Sequence, residues 1–401
     1  MQKTTSSQAA APAALSGERR TKIAFFIVIV FLYWMALYLY VPTLPTYAQT
    51  KTQNLALIGT ILAQYGLWQA IVRLPIGIAS DWIGRRKPFL LIGMVFAGAG
   101  AYVMGTAGGA EDVLIGRAIT GLAAGTWVPL VVAFSSLFPP GEAVRASATL
   151  TLVGSLGRVL ATSLTGTLNN LGGGYGLAFT LATGVAAVAL LVTLAVPETR
   201  LPSKPPSLDR LKRLASRRDV LLPSLLSAVA LYVAWGVSFG FLPILATQLG
   251  ADSVTLSLFT TLNLICYTGG NLAATTAVKH FGAQRMAYLS FLLIFAGTLG
   301  AAVAPSLAAL MAAQICLGFA VGTAYPVLMG MSIVHVGEQE RGAAMGLHQA
   351  VYAIGMFAGP WLSGILAEAM GIRPMFGVTA FAATLLGLLG TRTLRPAAAD
   401  K

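Results

Sequence analysis

The chain has 401 residues, 56% of them hydrophobic and 10% charged, with a formal net charge of +13. A water-soluble domain carries about 25% charged residues, so folding this chain in water would leave large apolar patches exposed; a soluble enzyme and a soluble binding module are both excluded. The positive charge sits in short segments between apolar runs, a mark of membrane topology rather than of a nucleic-acid surface.

Residues 1–22 hold Lys3, an Ala/Ser/Pro stretch, and then Glu18, Arg19, Arg20 and Lys22. The apolar run that follows is too long for the hydrophobic part of a signal peptide, and no small-residue cleavage site follows it, so residues 1–22 read as a cytoplasmic tail. Runs long enough to cross a bilayer are predicted at 23–47, 55–80, 88–108, 113–134, 146–170, 175–196, 220–247, 253–278, 286–304, 306–334, 342–369 and 374–391. The expectation is an all-α integral membrane protein of twelve transmembrane helices. They form two six-helix bundles (23–196 and 220–391), joined by a connection at 197–219 and followed by a tail at 392–401. Cys266 and Cys316 fall singly inside apolar runs, without metal or redox spacing, and read as buried free thiols.

With the N-terminal tail inside, 21 of the 26 Lys and Arg lie on the inner side and two, Lys51 and Arg373, outside; the other three, Arg73, Arg117 and Arg158, fall within spans. That asymmetry predicts cytoplasmic termini and a cytoplasmic connection. The two bundles resemble each other at an offset of about 197 residues. RAITGLAAGTWVP (117–129) pairs with QICLGFAVGTAYP (314–326), and Arg145 after an acidic turn pairs with Arg341 after Glu338 and Glu340. In the second and eighth spans the polar stripe Tyr65, Gln69, Arg73, Gly77, Asp81 overlies Asn263, Tyr267, Asn271, Thr275, Lys279. Parallel six-helix repeats are a transporter architecture.

GIASDWIGRRK (77–87) matches G-x-x-x-D-x-x-G-R-[RK]-[RK], the signature loop of the major facilitator superfamily, and the chain resembles that family. Gly77 allows close helix approach, Gly84 a tight turn, and Asp81 can accept from a helix N-terminus or an arginine. The resemblance implies that Gly77, Asp81, Gly84, Arg85 and Arg86 latch the halves in the outward-facing state. LIGRAITGLAAG (114–125) resembles the family's second motif, which implies a role for Arg117 in proton coupling. On the residues alone, Arg117 can instead pair with Glu111 or Asp112. The glycine-proline motif of antiporters is missing from the fifth span, where Ser163-Leu164 stands, but present in the eleventh as Gly355, Gly359, Pro360 and Gly364. PETR (197–200) is common after the sixth helix of the drug-efflux branch, the drug:proton antiporters.

In the fifth span Thr151, Ser155, Arg158, Thr162, Thr165 and Asn169 recur at alternating steps of four and three and form one polar face. Arg158 lies about 18 Å from the inner end, near the midplane, where a cation must be solvated or paired. Every one of the thirteen acidic residues lies at or beyond a span end, so no carboxylate is placed to meet it. The expected substrate-binding set is Arg158, Arg73, Gln69, Tyr65, Tyr33, Tyr40, Asn263, Tyr267, Asn271 and Tyr352; the expected coupling set adds Arg117, Arg145, Arg341 and His348 to the signature loop. His348 is the one group titrating near neutral pH inside a span, and packing by hydrogen bonds is its alternative role.

These readings point to a secondary transporter of the bacterial cytoplasmic (inner) membrane, working by alternating access as a monomer in the lipid bilayer. The two arginines favour an amphipathic or anionic, even lipid-like, small-molecule substrate for efflux, with the proton as coupling ion implied by the family. A proton-coupled exporter of neutral or cationic drugs is the alternative, and a non-transporting membrane sensor or scaffold is the alternative of another class. No cofactor, metal site or nucleic-acid partner is expected, and no nucleophile–base pair suggests an enzyme.

Overall fold

In the computed structural model, residues 17–139, 142–198 and 208–394 are described. They form twelve helical rods: α1 (Gly17–Gln49), α2 (Leu55–Ile83), α3 (Lys87–Gly105), α4 (Ala110–Ser135), α5 (Ala143–Leu171), α6 (Gly176–Ala195), α7 (Arg218–Gln248), α8 (Ser253–Phe281), α9 (Ala283–Val303), α10 (Leu307–Ile333), α11 (Arg341–Met370) and α12 (Ile372–Arg392). Helix α1 starts before the expected end of the tail. Gly17–Lys22 continue it, and a Lys22–Glu18 ion pair one turn apart supports that extension.

Ten of these rods are long and apolar enough to cross a membrane by composition alone. The two that are not, α5 and α8, face each other. Thr162 Oγ1 lies 2.9 Å from Thr261 Oγ1, and Thr268 donates to Ser155 Oγ at 3.3 Å. Their polar residues are thus spent on each other and on the space between the halves, where lipid never reaches.

The repeat is visible in the helix starts. Asn54 Oδ1 accepts from Leu57 N at 2.7 Å to cap α2, and Asp252 Oδ1 accepts from Thr255 N at 2.8 Å to cap α8. It fails at the prolines. Helix α4 breaks at Thr126, ahead of Pro129, whereas α10 runs unbroken through Pro326. Helix α7 widens into a π-helical stretch at Ala234–Phe241 just before Pro243, whose missing N–H cannot continue the ladder.

Within the expected connection, Leu208–Ser216 is a short helix. Leu214 is buried with Val220, Val336 and Ala344, which docks the connection on the C-terminal half. Beside it, Arg217 Nη2 donates to Asp219 Oδ2 at 2.6 Å and to His335 O at 2.8 Å, tying the start of α7 to the end of α10.

The halves meet toward one end only, the end opposite Gly17, Arg392 and the connection. There the Leu55 N–H donates to Glu368 Oε2 at 2.6 Å, and a Cβ on Gly59 would stand 2.8 Å from Gly364 Cα. Further along, a Cβ on Gly166 would run into the backbone of Ser253 and Val254. The contacts reach the level of Arg73–Tyr352 and Ser155–Thr268. Beyond that level no hydrogen bond joins the halves among the described residues. At the start of α11, past that level, a Cβ on Gly342 or Gly346 would meet nothing within 4 Å.

Candidate functional site

Between the halves at mid-depth lies a cavity of about 230 Å³, lined by α1, α2, α4 and α5 on one side and α7, α8, α10 and α11 on the other. Arg158 occupies the α5 wall. Its guanidinium sits 4.8 Å from the centroid of Trp34 and 5.8 Å from that of Tyr38. Its polar bonds are to its own helix, from Nε to Gly154 O at 3.2 Å and from Nη2 to Ser155 Oγ at 3.3 Å. Thr151 lines the cavity as well, and the outer part of the α5 stripe is committed to packing. Thr165 donates to Leu39 O at 2.9 Å and Asn169 to Thr43 Oγ1 at 3.0 Å, so the outer residues fasten α5 to α1.

On α2, Arg73 is buried and donates from Nη1 to Tyr352 Oη at 2.7 Å, joining the two halves; its Nε has no partner. One turn deeper lies Gln69, and another turn on, Tyr65 stacks on Trp235 of α7 with centroids 5.1 Å apart. From α8 come Asn263, Tyr267 and Asn271, with Asn263 Nδ2 donating to Gln314 O at 3.0 Å. The cavity therefore collects Arg158, Arg73, Gln69, Tyr65, Asn263, Tyr267, Asn271 and Tyr352.

Two expected substrate residues are misplaced. Tyr33 is buried inside the N-terminal half, donating to Ala123 O at 3.0 Å and stacking on Trp127. Tyr40 stacks on Phe179 of α6, centroids 4.9 Å apart. The cavity face of α1 carries Trp34 and Tyr38 instead, four residues apart and so on one stripe, about 100° around the helix from Tyr33. The signal was present in sequence as an i, i+4 aromatic pair with an unpaired arginine to receive. Trp127, Trp235 and Tyr325 also line the cavity, and nothing in their spacing distinguished them from packing aromatics.

Arg117 is buried and pairs with neither acidic residue proposed for it, since Asp112 Oδ2 instead accepts from Gly108 N and Gly109 N at its own helix start. The guanidinium lies over Tyr65 at 4.3 Å and 5.9 Å from Trp235, behind the stack that floors the cavity; Nε and Nη1 have no partner. The two cysteines are half-buried and unpaired rather than buried.

The signature loop is folded on its own half. Gly84 ends α2 at φ +69°, a left-handed position that glycine takes without strain. Asp81 Oδ1 accepts from Arg86 Nη2 at 2.5 Å, and Arg86 Nη1 donates to Ser80 O at 2.6 Å. Arg85 lies 3.5 Å from Glu198, and a Cβ on Gly77 would meet Val128 Cγ1 at 3.3 Å. None of these bonds crosses to the other half. Arg341, exposed on α11, donates to Val336 O at 3.4 Å; the Arg145 side chain lies outside the described residues. His348 is buried on α11 beside Ser224.

Asp81→Asn is expected to reduce transport at least tenfold while leaving expression and melting temperature nearly unchanged. Arg86 keeps its bond to Ser80 O, but the charge-assisted bond that biases the loop between states is lost. Transport at the wild-type rate in reconstituted vesicles rejects this role.

Two six-helix halves, closed on each other at one end and parted at the other around a polar-aromatic cavity, define a transporter that works by alternating access. The chain belongs to the Major Facilitator Superfamily, whose family model matches residues 26–233 and 224–401. It is 26% identical over 367 residues to chloramphenicol efflux pumps of two Mycobacterium tuberculosis strains, covering 87% of this chain and 86% of each relative. Among solved structures, a bacterial homolog of the human lysosomal transporter Spinster, inward-facing and unoccupied, superimposes with a TM-score of 0.77 at 16% identity, over 94% of this chain and 98% of that one. The human organic anion transporter MFSD10 (TETRAN) gives 0.68 at 19% identity, over 95% and 100%. These structures share the fold.

Proposed function

We propose that this transporter exports an amphipathic small molecule with a negatively charged group, taken up from the cytoplasm into the cavity described above. The carrying observation is that Arg158 and Arg73 line one cavity whose described lining includes no carboxylate. Both stay charged at any physiological pH, so water, aromatic faces or a bound anion must offset their burial. The aromatic rings on seven of the eight lining helices suit the apolar part of the same molecule. The cavity opens toward the face holding the chain ends and most of the basic residues. By the charge asymmetry that face is cytoplasmic, which makes this the inward-facing state in a bacterial inner membrane. Single cysteines at Ser216 and Thr106, in a background with Cys266 and Cys316 replaced by serine, test the orientation. In intact cells an impermeant thiol reagent should label only the one at Thr106, and labelling at Ser216 refutes it.

The substrate class is tested by thermal shift of the purified protein with octyl sulfate, octanol and octyltrimethylammonium, three probes with one chain and different heads. A ligand that binds only the folded state raises the melting temperature. Octyl sulfate alone is expected to do so. Arg158→Ala should weaken its binding about 30-fold or more, the scale of a lost charge-assisted contact, and Arg158→Lys by less, since lysine lacks the planar fork. If both variants instead lose unliganded stability together with every ligand, Arg158 is structural and the reading fails. The relatives' substrate supports a second reading, an aromatic drug stacked on Trp34, Trp127 and Tyr267. It holds if chloramphenicol stabilises the protein and Arg158→Ala leaves that shift unchanged.

A further inference from the structure

We propose that the substrate carries two negative charges, one at each end of an apolar body, and spans the cavity from Arg73 to Arg158; this deepens the anion reading above and rests on it. The two arginines stand at different seams between the halves. Arg73 of α2 donates to Tyr352 Oη of α11 at 2.7 Å. Arg158 of α5 donates to Ser155 Oγ, which accepts from Thr268 of α8 at 3.3 Å. Helix α2 packs on α11 and α5 on α8, so these bonds mark two different sides of the cavity. They lie at a similar depth. Tyr352 is sixteen residues from Glu368 and Thr268 sixteen from Asp252, both about 24 Å in from the closed end at 1.5 Å per residue.

The two guanidiniums share no ring and no hydrogen-bond partner among the described residues. Arg158 lies over Trp34 and Tyr38, and Arg73 over Tyr352 at 5.5 Å. Along the N-terminal wall, α1 packs on α5 and α4 packs on α2. Trp34 of α1 meets Trp127 of α4 edge to face, with centroids 5.0 Å apart, so an aromatic strip runs between the two cations. Each has a nitrogen to spare. Arg73 Nε is buried without a partner, and Arg158 Nη1 has no hydrogen bond among the described residues. An anionic oxygen can accept at each of them.

The described lining includes no carboxylate, so the two arginines give the cavity two uncompensated positive charges, and neither can be shed by deprotonation. While the cavity stands open, water offsets both. In alternating access the loaded site is closed off from one side before it meets the other, and that water is largely excluded. A substrate with one charge then leaves one guanidinium enclosed without a counter-charge, the costly state for a buried ion. A substrate with a charge at each end leaves none. Two charges on a single head group reach one seam only.

The test compares affinities by calorimetric titration of the purified protein at about pH 8, with every probe below its micelle concentration. Octyl sulfate carries one charge. Octyl phosphate carries about two at one end, since the second pKa of a phosphate monoester is about 6. The bis-sulfates of hexanediol and octanediol carry one at each end, and the tighter of the two is compared. That bis-sulfate is expected to bind about 30-fold or more tightly than octyl sulfate, the scale of one further charge-assisted contact, and more tightly than octyl phosphate. Its advantage over octyl sulfate should disappear in Arg73→Gln and, separately, in Arg158→Gln; if one variant does not fold, the parent and the other variant decide. A bis-sulfate no tighter than octyl sulfate, octyl phosphate equal to the bis-sulfate, or an advantage that survives either substitution overturns the proposal and leaves the anion reading standing so long as octyl sulfate binds. If no anionic probe binds, the anion reading itself fails and the proposal with it.

Discussion

Gly59→Leu is expected to drive the protein out of the conformation described here and to lower transport more than tenfold. A Cβ on Gly59 would stand 2.8 Å from Gly364 Cα and still closer to Pro360 O, and neither backbone can step aside without parting the halves. Overpacking of this kind costs about 1–3 kcal/mol, which moves an equilibrium between two states by about 5- to 150-fold. The cost falls on one state only, because each half keeps its own core and the other conformation separates α2 from α11 at this end. The variant should therefore fold, yet show higher maleimide labelling than the parent at Thr261→Cys, a position that bonds Thr162 across the closed seam. Labelling equal to the parent's would mean that the seam is not what closes this end. The Leu55–Glu368 bond beside it is a weaker part of the same closure, being exposed to water at the helix start.

Arg117→Leu is expected to raise the melting temperature by several degrees while transport falls. Arg117 is buried without a carboxylate, two of its nitrogens lack partners, and its charge rests on the faces of Tyr65 and Trp235. Desolvating such a cation costs several kcal/mol, and replacing buried charges by apolar residues is often stabilising by about 1–4 kcal/mol. Cation–π contacts return about 2 kcal/mol when desolvated, less than the cost. An arginine that is expensive in the closed state favours reopening, when water reaches it. Without it the Tyr65–Trp235 stack should stay shut, and Thr261→Cys labelling should fall. A lower melting temperature with turnover retained rejects this account and makes Arg117 a packing residue.

Much of this was legible in the chain because the bilayer constrains sequence so strongly. A segment that must satisfy its backbone within itself and face lipid has to be a long apolar helix, so spans, halves and charge asymmetry were readable without any tertiary information. The two spans that are too polar for lipid, α5 and α8, were readable for the converse reason, and they proved to face the space between the halves. The repeat likewise identified the cavity residues of α2 and α8 as counterparts.

What the sequence determined by itself, then, was the membrane class, the two-bundle architecture, the family loop and the presence of intramembrane arginines without intramembrane acids. Only the tertiary structure decided which aromatics meet those arginines and which end is closed. Tyr33 and Tyr40 look like cavity residues in one dimension as readily as Trp34 and Tyr38 do. A rotation of about 100° per residue separates them, and the packing of α1 against α4, α5 and α6 sets its zero. The same holds for Arg117, whose sequence neighbours Glu111 and Asp112 seemed natural partners until Asp112 was found capping its own helix. Contacts between residues hundreds of positions apart, such as Arg73 with Tyr352 and Gly59 with Gly364, exist in one conformation of a two-state molecule. Local periodicity carries no information about such contacts, because it repeats within each helix and says nothing of how one half lies against the other.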